Sequence, residues 1–190
     1  NALEVYENKL IAIVNNSHMI KIYNIDQDGL NMPGIEISTN NSSPRDLAIV
    51  GDEVYFTNWN TQDVKIFDLF NYTIKESIPI EGGIPENIEY DGSFIWVTIP
   101  HTDNTYFGTA STVVKIDPNT NSVIETIEVG DGPQAIAFND GEVYVSRTFY
   151  DANFNASHGA TKIGSEIIIN NYGGGTPCGG AIIKYQNLMY

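Results

Sequence analysis

The chain has 190 residues, 42% hydrophobic and 11% aromatic, enough for one sizeable core or a few small units. Nine Lys+Arg against 24 Asp+Glu leave a formal charge of −15, which excludes partners held by phosphate neutralisation, nucleic acid above all, and argues against an anionic membrane surface. A single cysteine, Cys178, leaves no internal disulfide and no CxxC metal spacing, and no apolar run nears the ~18 residues of a membrane span, so no membrane insertion is expected.

From the N-terminus, Leu3 and Val5 open a first short strand, Leu10 marks a second, and MIKIY (19–23) a third. NIDQDGLN (24–31) spaces Asn24, Asp26, Asp28 and Gly29 like a calcium loop, yet Ile35 stands where the closing bidentate Glu is needed. A turn between third and fourth strands is therefore expected. The set then recurs. Laying residues 1–26 on 45–70 without a gap sets Leu3 on Leu47, Val5 on Ile49, Leu10 on Val54, Lys21 on Lys65 and Tyr23 on Phe67, at a constant offset of 44. Pro44, Pro85 and Pro133 extend the register to Leu47, Ile88 and Ile136, and then to Val54-Tyr55-Phe56, Ile95-Trp96-Val97 and Val143-Tyr144-Val145. Third strands are expected at DVKIF (63–67), TVVKI (112–116) and AIIKY (181–185), each with a lysine (Lys65, Lys115, Lys184) among apolar neighbours. YTIKESIPI and SVIETIEV supply fourth strands, and Gly51-Asp52-Glu53, Asp91-Gly92-Ser93 and Asn139-Asp140-Gly141 the tight turns between first and second.

A period in the forties with four short strands per unit predicts an all-β chain, a β-propeller of four four-stranded antiparallel blades. The repeats run about 1–43, 44–84, 85–132 and 133–190, blades of about 41–58 residues. Second strands that are apolar on both parities fit sheets packed on both faces. The last blade lacks its outer strand, so its open edge is expected to invite self-association or strand completion, or to mark a piece of a larger propeller. Opening on Asn1 and not Met also suggests a processed or excerpted chain.

The segments GPQAIAFNDGEVYVSRT and TVVKIDPNTNSVIETIEVGDGP resemble the YVTN/NHL-type propeller repeats of secreted and cell-surface proteins of bacteria and archaea. The resemblance covers nearly the whole chain and implies the fold, with six to eight blades usual in the family against four repeats here. It implies several functions, among them surface-layer components, adhesive or ligand-binding modules, and enzymes such as lactonases. An extracellular or cell-surface location is the expectation, in keeping with the acidity and the sequons at Asn15, Asn40, Asn41, Asn71 and Asn155.

The distance from proline to third-strand lysine grows from 21 to 30 to 51 residues, which assigns two expanded loops, 100–111 and 148–180, to the face that also carries Arg45, Asp46, Glu86, Asn87 and Gln134. Candidate ligand-binding residues there are His101, Asp103, Tyr106, Tyr150, Asp151 and His158, with Arg45 and Glu86 beside them. Polar loop residues explain them equally, since no HxxxH or HExxH spacing is present. GGGTPCGG (173–180) lacks the Lys-Ser/Thr of a phosphate loop, and no His is fixed beside Cys178. Tyr55, Trp96 and Tyr144 sit at equivalent positions and read as packing, whereas Trp59 lies in a loop and stands out. No cofactor is expected, calcium or another divalent ion being the one considered. A non-enzymatic binding or structural module with a protein or glycan surface partner is the leading function, and a metal-assisted hydrolase or lactonase-like enzyme on the same face the alternative.

Overall fold

Short apolar runs bounded by Gly, Asn and Asp turns leave the backbone nowhere to pair except across tight hairpins. In the computed structural model, which describes residues 2–103, 109–150, 153–164, 182, 184–185 and 188–189, every regular element is a strand. The first sheet holds β1 (Ala2–Tyr6), β2 (Lys9–Val14), β3 (Met19–Asp26), the short β4 (Gly29–Leu30) and β5 (Ile35–Ser38), with β4 and β5 both paired to β3. The second runs β6 (Pro44–Val50), β7 (Glu53–Asn58), β8 (Asp63–Asp68) and β9 (Thr73–Pro79), and the third β10 (Ile88–Tyr90), β11 (Ile95–His101), β12 (Thr109–Asp117) and β13 (Ser122–Glu128). The fourth holds β14 (Pro133–Asn139), β15 (Glu142–Tyr150) and β16 (Ala156–Lys162), all ladders being antiparallel. The 24–31 stretch is a hairpin turn as expected: Asp26 pairs with Gly29, and the Asp26 carboxylate accepts from the Asp28 N–H at 2.8 Å.

Three apolar seams join the sheets face to face. Ile11, Ile13, Ile20 and Ile22 meet Leu47, Val54, Phe56 and Phe67 in the first, and Tyr55, Val64 and Ile66 meet Ile88, Ile95, Val97 and Ile99 in the second. Trp96 and Val113 meet Ile136, Val143 and Val145 in the third. The central strands of the second and third sheets, β7 and β11, are thus buried from both sides, which is why their sequences show no clean alternation. The inner strands β1, β6, β10 and β14 lie side by side in chain order.

A polar latch repeats along them. Thr57 and Thr98, thirteen residues past Pro44 and Pro85, each accept from a backbone N–H of their own sheet, Asp46 at 3.1 Å and Asn87 at 3.0 Å. The same hydroxyls donate to a carbonyl of the next sheet, Glu86 at 2.6 Å and Gln134 at 3.1 Å. Asp46 in turn accepts from the Ile88 N–H (3.1 Å) and the Asn87 amide (2.5 Å), and Asn87 from the Ile136 N–H (2.8 Å). These bonds close donors and acceptors that the seams would otherwise bury unpaired.

Two sequence expectations are corrected. The third strand of the last sheet is Ala156–Lys162 and not 181–185; its register runs from Tyr144↔Lys162 to Tyr150↔Ala156, while Lys184–Tyr185 (β17) forms a separate hairpin with Leu188–Met189 (β18). Ala156-Ser157-His158-Gly159-Ala160-Thr161-Lys162 carries no aliphatic alternation, so hydrophobic periodicity passes over a strand held by its backbone ladder and by polar bonds such as that from the buried Thr161 hydroxyl to the Val129 carbonyl at 2.6 Å. The second correction concerns the expanded loops. Much of 100–111 is strand, since His101 pairs with Thr109 past a register shift, and 148–180 contains the end of β15 and all of β16. Among the described residues, part of the extra length went into longer strands.

Candidate functional site

Pro44 pairs with Asn58, which brings the start of β6 to the end of β7 and leaves Arg45 and Trp59 at one edge of the sheets. The Trp59 N–H is fixed by the Ser43 carbonyl (3.1 Å) and that of Asn60 by Ser42 (3.0 Å), so the residues after β7 are tied down and not free to swing. Glu86, just before β10, arrives at the same edge because Thr57 holds its carbonyl.

Four side chains meet there. Arg45 donates to Glu86 from Nε (3.1 and 3.0 Å) and Nη2 (2.6 Å), and its guanidinium lies 4.4 Å from the Trp59 ring centroid. The Trp59 indole N–H donates to the other Glu86 oxygen at 2.6 Å, and the His101 ring stands edge-on to Trp59 at 6.1 Å. Trp59 is 9% exposed, while the Arg45 and Glu86 side chains keep 28% and 23% of their surface. A bidentate charge-assisted pair with a cation over an aromatic face is a rigid arrangement, each element worth on the order of 1 kcal/mol. Chemically it offers a planar cation and a carboxylate to an incoming polar group.

Of the sequence candidates, the structure assembles Arg45, Glu86 and His101 and adds Trp59. Asp103 is exposed just beyond β11. Tyr150 is exposed at the end of β15, and His158 sits on β16, its Nδ1 3.0 Å from the Thr148 hydroxyl. Tyr106 and Asp151 lie outside the described residues, as does Cys178. Among the described residues no three His, Cys, Asp or Glu side chains are placed to hold a metal ion. Reading the sequence missed the Thr57 and Thr98 latches, although a hydroxyl residue thirteen past each of three prolines (Thr57, Thr98, Ser146) was there to be counted.

Near the inner strands, Glu89 is half-buried with Asp46 and Glu4 in its field, and loss of solvation chiefly, then these charges, push its carboxyl up from 4.5 to about 7. Asp46 is raised too, chiefly by burial and against the bonds from Ile88, Leu47 and Asn87. A carboxyl raised in the folded state contributes fully below its unfolded value and loses that contribution as pH climbs to the folded one. Stability should therefore fall between pH 4.5 and 7 by about 1–2 kcal/mol after allowance for solvent screening. Thermal melting across this window should show the fall in the native chain and flatten it in Glu89→Gln; an equal slope in the variant would assign it to other groups.

No protein-family model and no curated protein sequence matches this chain. Solved structures do. Hydrazine synthase of Kuenenia stuttgartiensis superposes with a TM-score of 0.65 at 16% identity, over 82% of this chain and 43% of that one. Virginiamycin B lyase from Staphylococcus aureus gives 0.60 at 16% over 83% and 54%, and the computationally designed Ika4 protein 0.57 at 13% over 83% and 88%. At such identities the likeness concerns fold alone, and the chain spans about half the length of the first two. With the sheets and seams above, it defines the class: an all-β array of propeller blades. Propeller-like neighbours include enzymes, so the fold leaves function to the site.

Proposed function

We propose that the chain is a non-enzymatic binding or structural module of a secreted or cell-surface β-propeller protein of YVTN/NHL type, meeting a protein or glycan partner at the edge that carries Arg45, Trp59, Glu86 and His101. The observation that carries this reading is the pinned tryptophan. Trp59 holds Arg45 across its face and Glu86 through its N–H, so a partner would meet these two part-exposed side chains already ordered. Tryptophan and arginine are also the residue types on which interfaces concentrate their energy. Exposed Asn40, Asn41, Asn71 and Asn155 are compatible with modification outside the cell, whereas the Asn15 amide is spent on the Ser43 hydroxyl and the Pro44 carbonyl.

The repeat pattern supports membership of a larger ring. Leu3 and Val5 are 66% and 57% exposed, while Leu47, the counterpart of Leu3 one blade on, is 6% exposed in the first seam. A further blade face, from a longer chain or a second one, would cover them, and β16 offers an edge that no strand among the described residues pairs. Titrating the chain with cell-wall oligosaccharides and with short peptides should change the emission of one of its two tryptophans. Trp59→Phe should abolish the change and Arg45→Ala should weaken binding about tenfold or more. A response that survives in Trp59→Phe would move the site elsewhere.

A further inference from the structure

One residue brackets the connection between the first and second sheets. The His18 carbonyl accepts from the Thr39 N–H at 2.8 Å, and its ring Nδ1 accepts from the Ser43 N–H at 3.1 Å. Between these two bonds the chain is tightly wound. Asn40, Asn41 and Ser43 have φ of 55°, 57° and 58°, the left-handed region that residues other than glycine keep when their surroundings hold them there. Asn15, in the same turn as His18, adds bonds from its amide to the Ser43 hydroxyl (2.9 Å) and the Pro44 carbonyl (3.0 Å).

What this connection holds is the edge that carries Trp59. The Ser43 and Ser42 carbonyls fix the N–H groups of Trp59 and Asn60, the Asn41 carbonyl accepts from the Asn60 amide at 2.8 Å, and the Ser42 hydroxyl donates to the buried Asn58 Oδ1 at 2.5 Å. A chain of bonds therefore runs from the His18 ring through Ser43 to Trp59. The link at the ring is conditional. Nδ1 accepts from Ser43 while it carries no proton, so the ring that makes this bond is neutral, and an imidazolium would turn an N–H toward an N–H. The closed connection thus binds one proton fewer than the open one, so neutral pH favours closure and acid favours release.

Segments 15–18 and 39–43, which meet at the ring, carry no ionisable side chain besides His18. On the strands around them, Lys21 is paired with Glu36 (2.6 Å), Arg45 with Glu86 (2.6 Å), Asp63 with Lys65 (2.9 Å), and Asp46 with the Ile88 N–H and the Asn87 amide. Each of these charges has its own partner, which leaves the ring as the titrating group of the junction.

We propose that His18 is a pH-sensitive clasp: protonation of its ring releases the Ser43 N–H and loosens residues 39–43, so that the edge carrying Arg45, Trp59 and Glu86 is firmly ordered at neutral pH and slack in acid. As regulation of the surface proposed above, the inference rests on that reading. The clasp itself is measured without any ligand, so the two can fail separately.

Amide hydrogen exchange of the 15N-labelled chain, corrected for its intrinsic pH dependence, should show protection of Ser43, Trp59 and Asn60 falling together by about tenfold or more between about pH 8 and about pH 5. Glu89, raised to about 7, changes charge in the same window with the opposite effect on stability, so it does not imitate the fall. His18→Asn tests the ring: asparagine tolerates the left-handed φ of 53° found here, places an oxygen where Nδ1 stands, and does not titrate. Protection in this variant should stay high throughout. Unchanged protection of Ser43 in the native chain overturns the clasp, as does a fall that persists in His18→Asn. A fall at Ser43 alone, with Trp59 and Asn60 still protected, overturns its hold on the edge.

Discussion

Phe56→Ala is expected to cost about 3–5 kcal/mol, enough to unfold a marginally stable chain at room temperature. The ring is fully buried in the first seam among Ile11, Ile13, Leu47 and Phe67, and its backbone is locked between Leu47 on β6 and Lys65 on β8. With both sheets held by their ladders, neither can close the void, so the cavity term adds to the lost transfer energy. Exposed ion pairs give the contrast. Lys75 pairs with Glu53 at 2.5 Å on the outer surface, where water and salt screen the pair, and Lys75→Met should leave stability close to native. Urea denaturation of both variants decides whether apolar seams or surface charges hold the blades together; comparable losses would contradict the seam.

The seams were legible in the sequence because they are built from side chains at a fixed offset. Leu47, Val54 and Phe67 repeat Leu3, Leu10 and Tyr23, and burial on both faces is written as apolar residues at both parities. The strand Ala156–Lys162 was not legible for the opposite reason: its inward positions are Gly159 and Thr161, and what holds it is a backbone ladder to β15 with polar bonds such as Thr161 to the Val129 carbonyl, which leave no apolar periodicity. The site was half legible. Arg45, Glu86 and His101 followed from which strand ends share a face, and Trp59 stood out as an aromatic in a polar turn. Their convergence depends on the Thr57 latch to the Glu86 carbonyl, a contact between sheets that no local pattern encodes.

Gly83→Ala should cost more than about 3 kcal/mol and should disturb the site at a distance from it in sequence. Gly83 has φ +152°, in a region that side chains rarely adopt, and a Cβ there would lie 2.2 Å from the His101 carbonyl oxygen and 2.9 Å from Ile99 Cγ2. That carbonyl already accepts from the Ile84 N–H at 2.8 Å, the bond that ties the connection between second and third sheets to the end of β11. A methyl group must push the two apart, which breaks the bond inside a buried seam and shifts the His101 ring from the edge of Trp59. Gly92→Ala is the control: φ is +95°, but a Cβ would meet nothing within 4 Å, so only the conformational cost of about 1 kcal/mol remains. The difference between the two variants measures the close approach alone. Denaturation should separate them by about 2 kcal/mol or more, and Trp59 emission should change in Gly83→Ala and stay native in Gly92→Ala. Equal stability losses, with native emission in both, would mean that the Gly83 to His101 approach does not position the cluster, and that His101 reaches Trp59 through β11 and β12 alone.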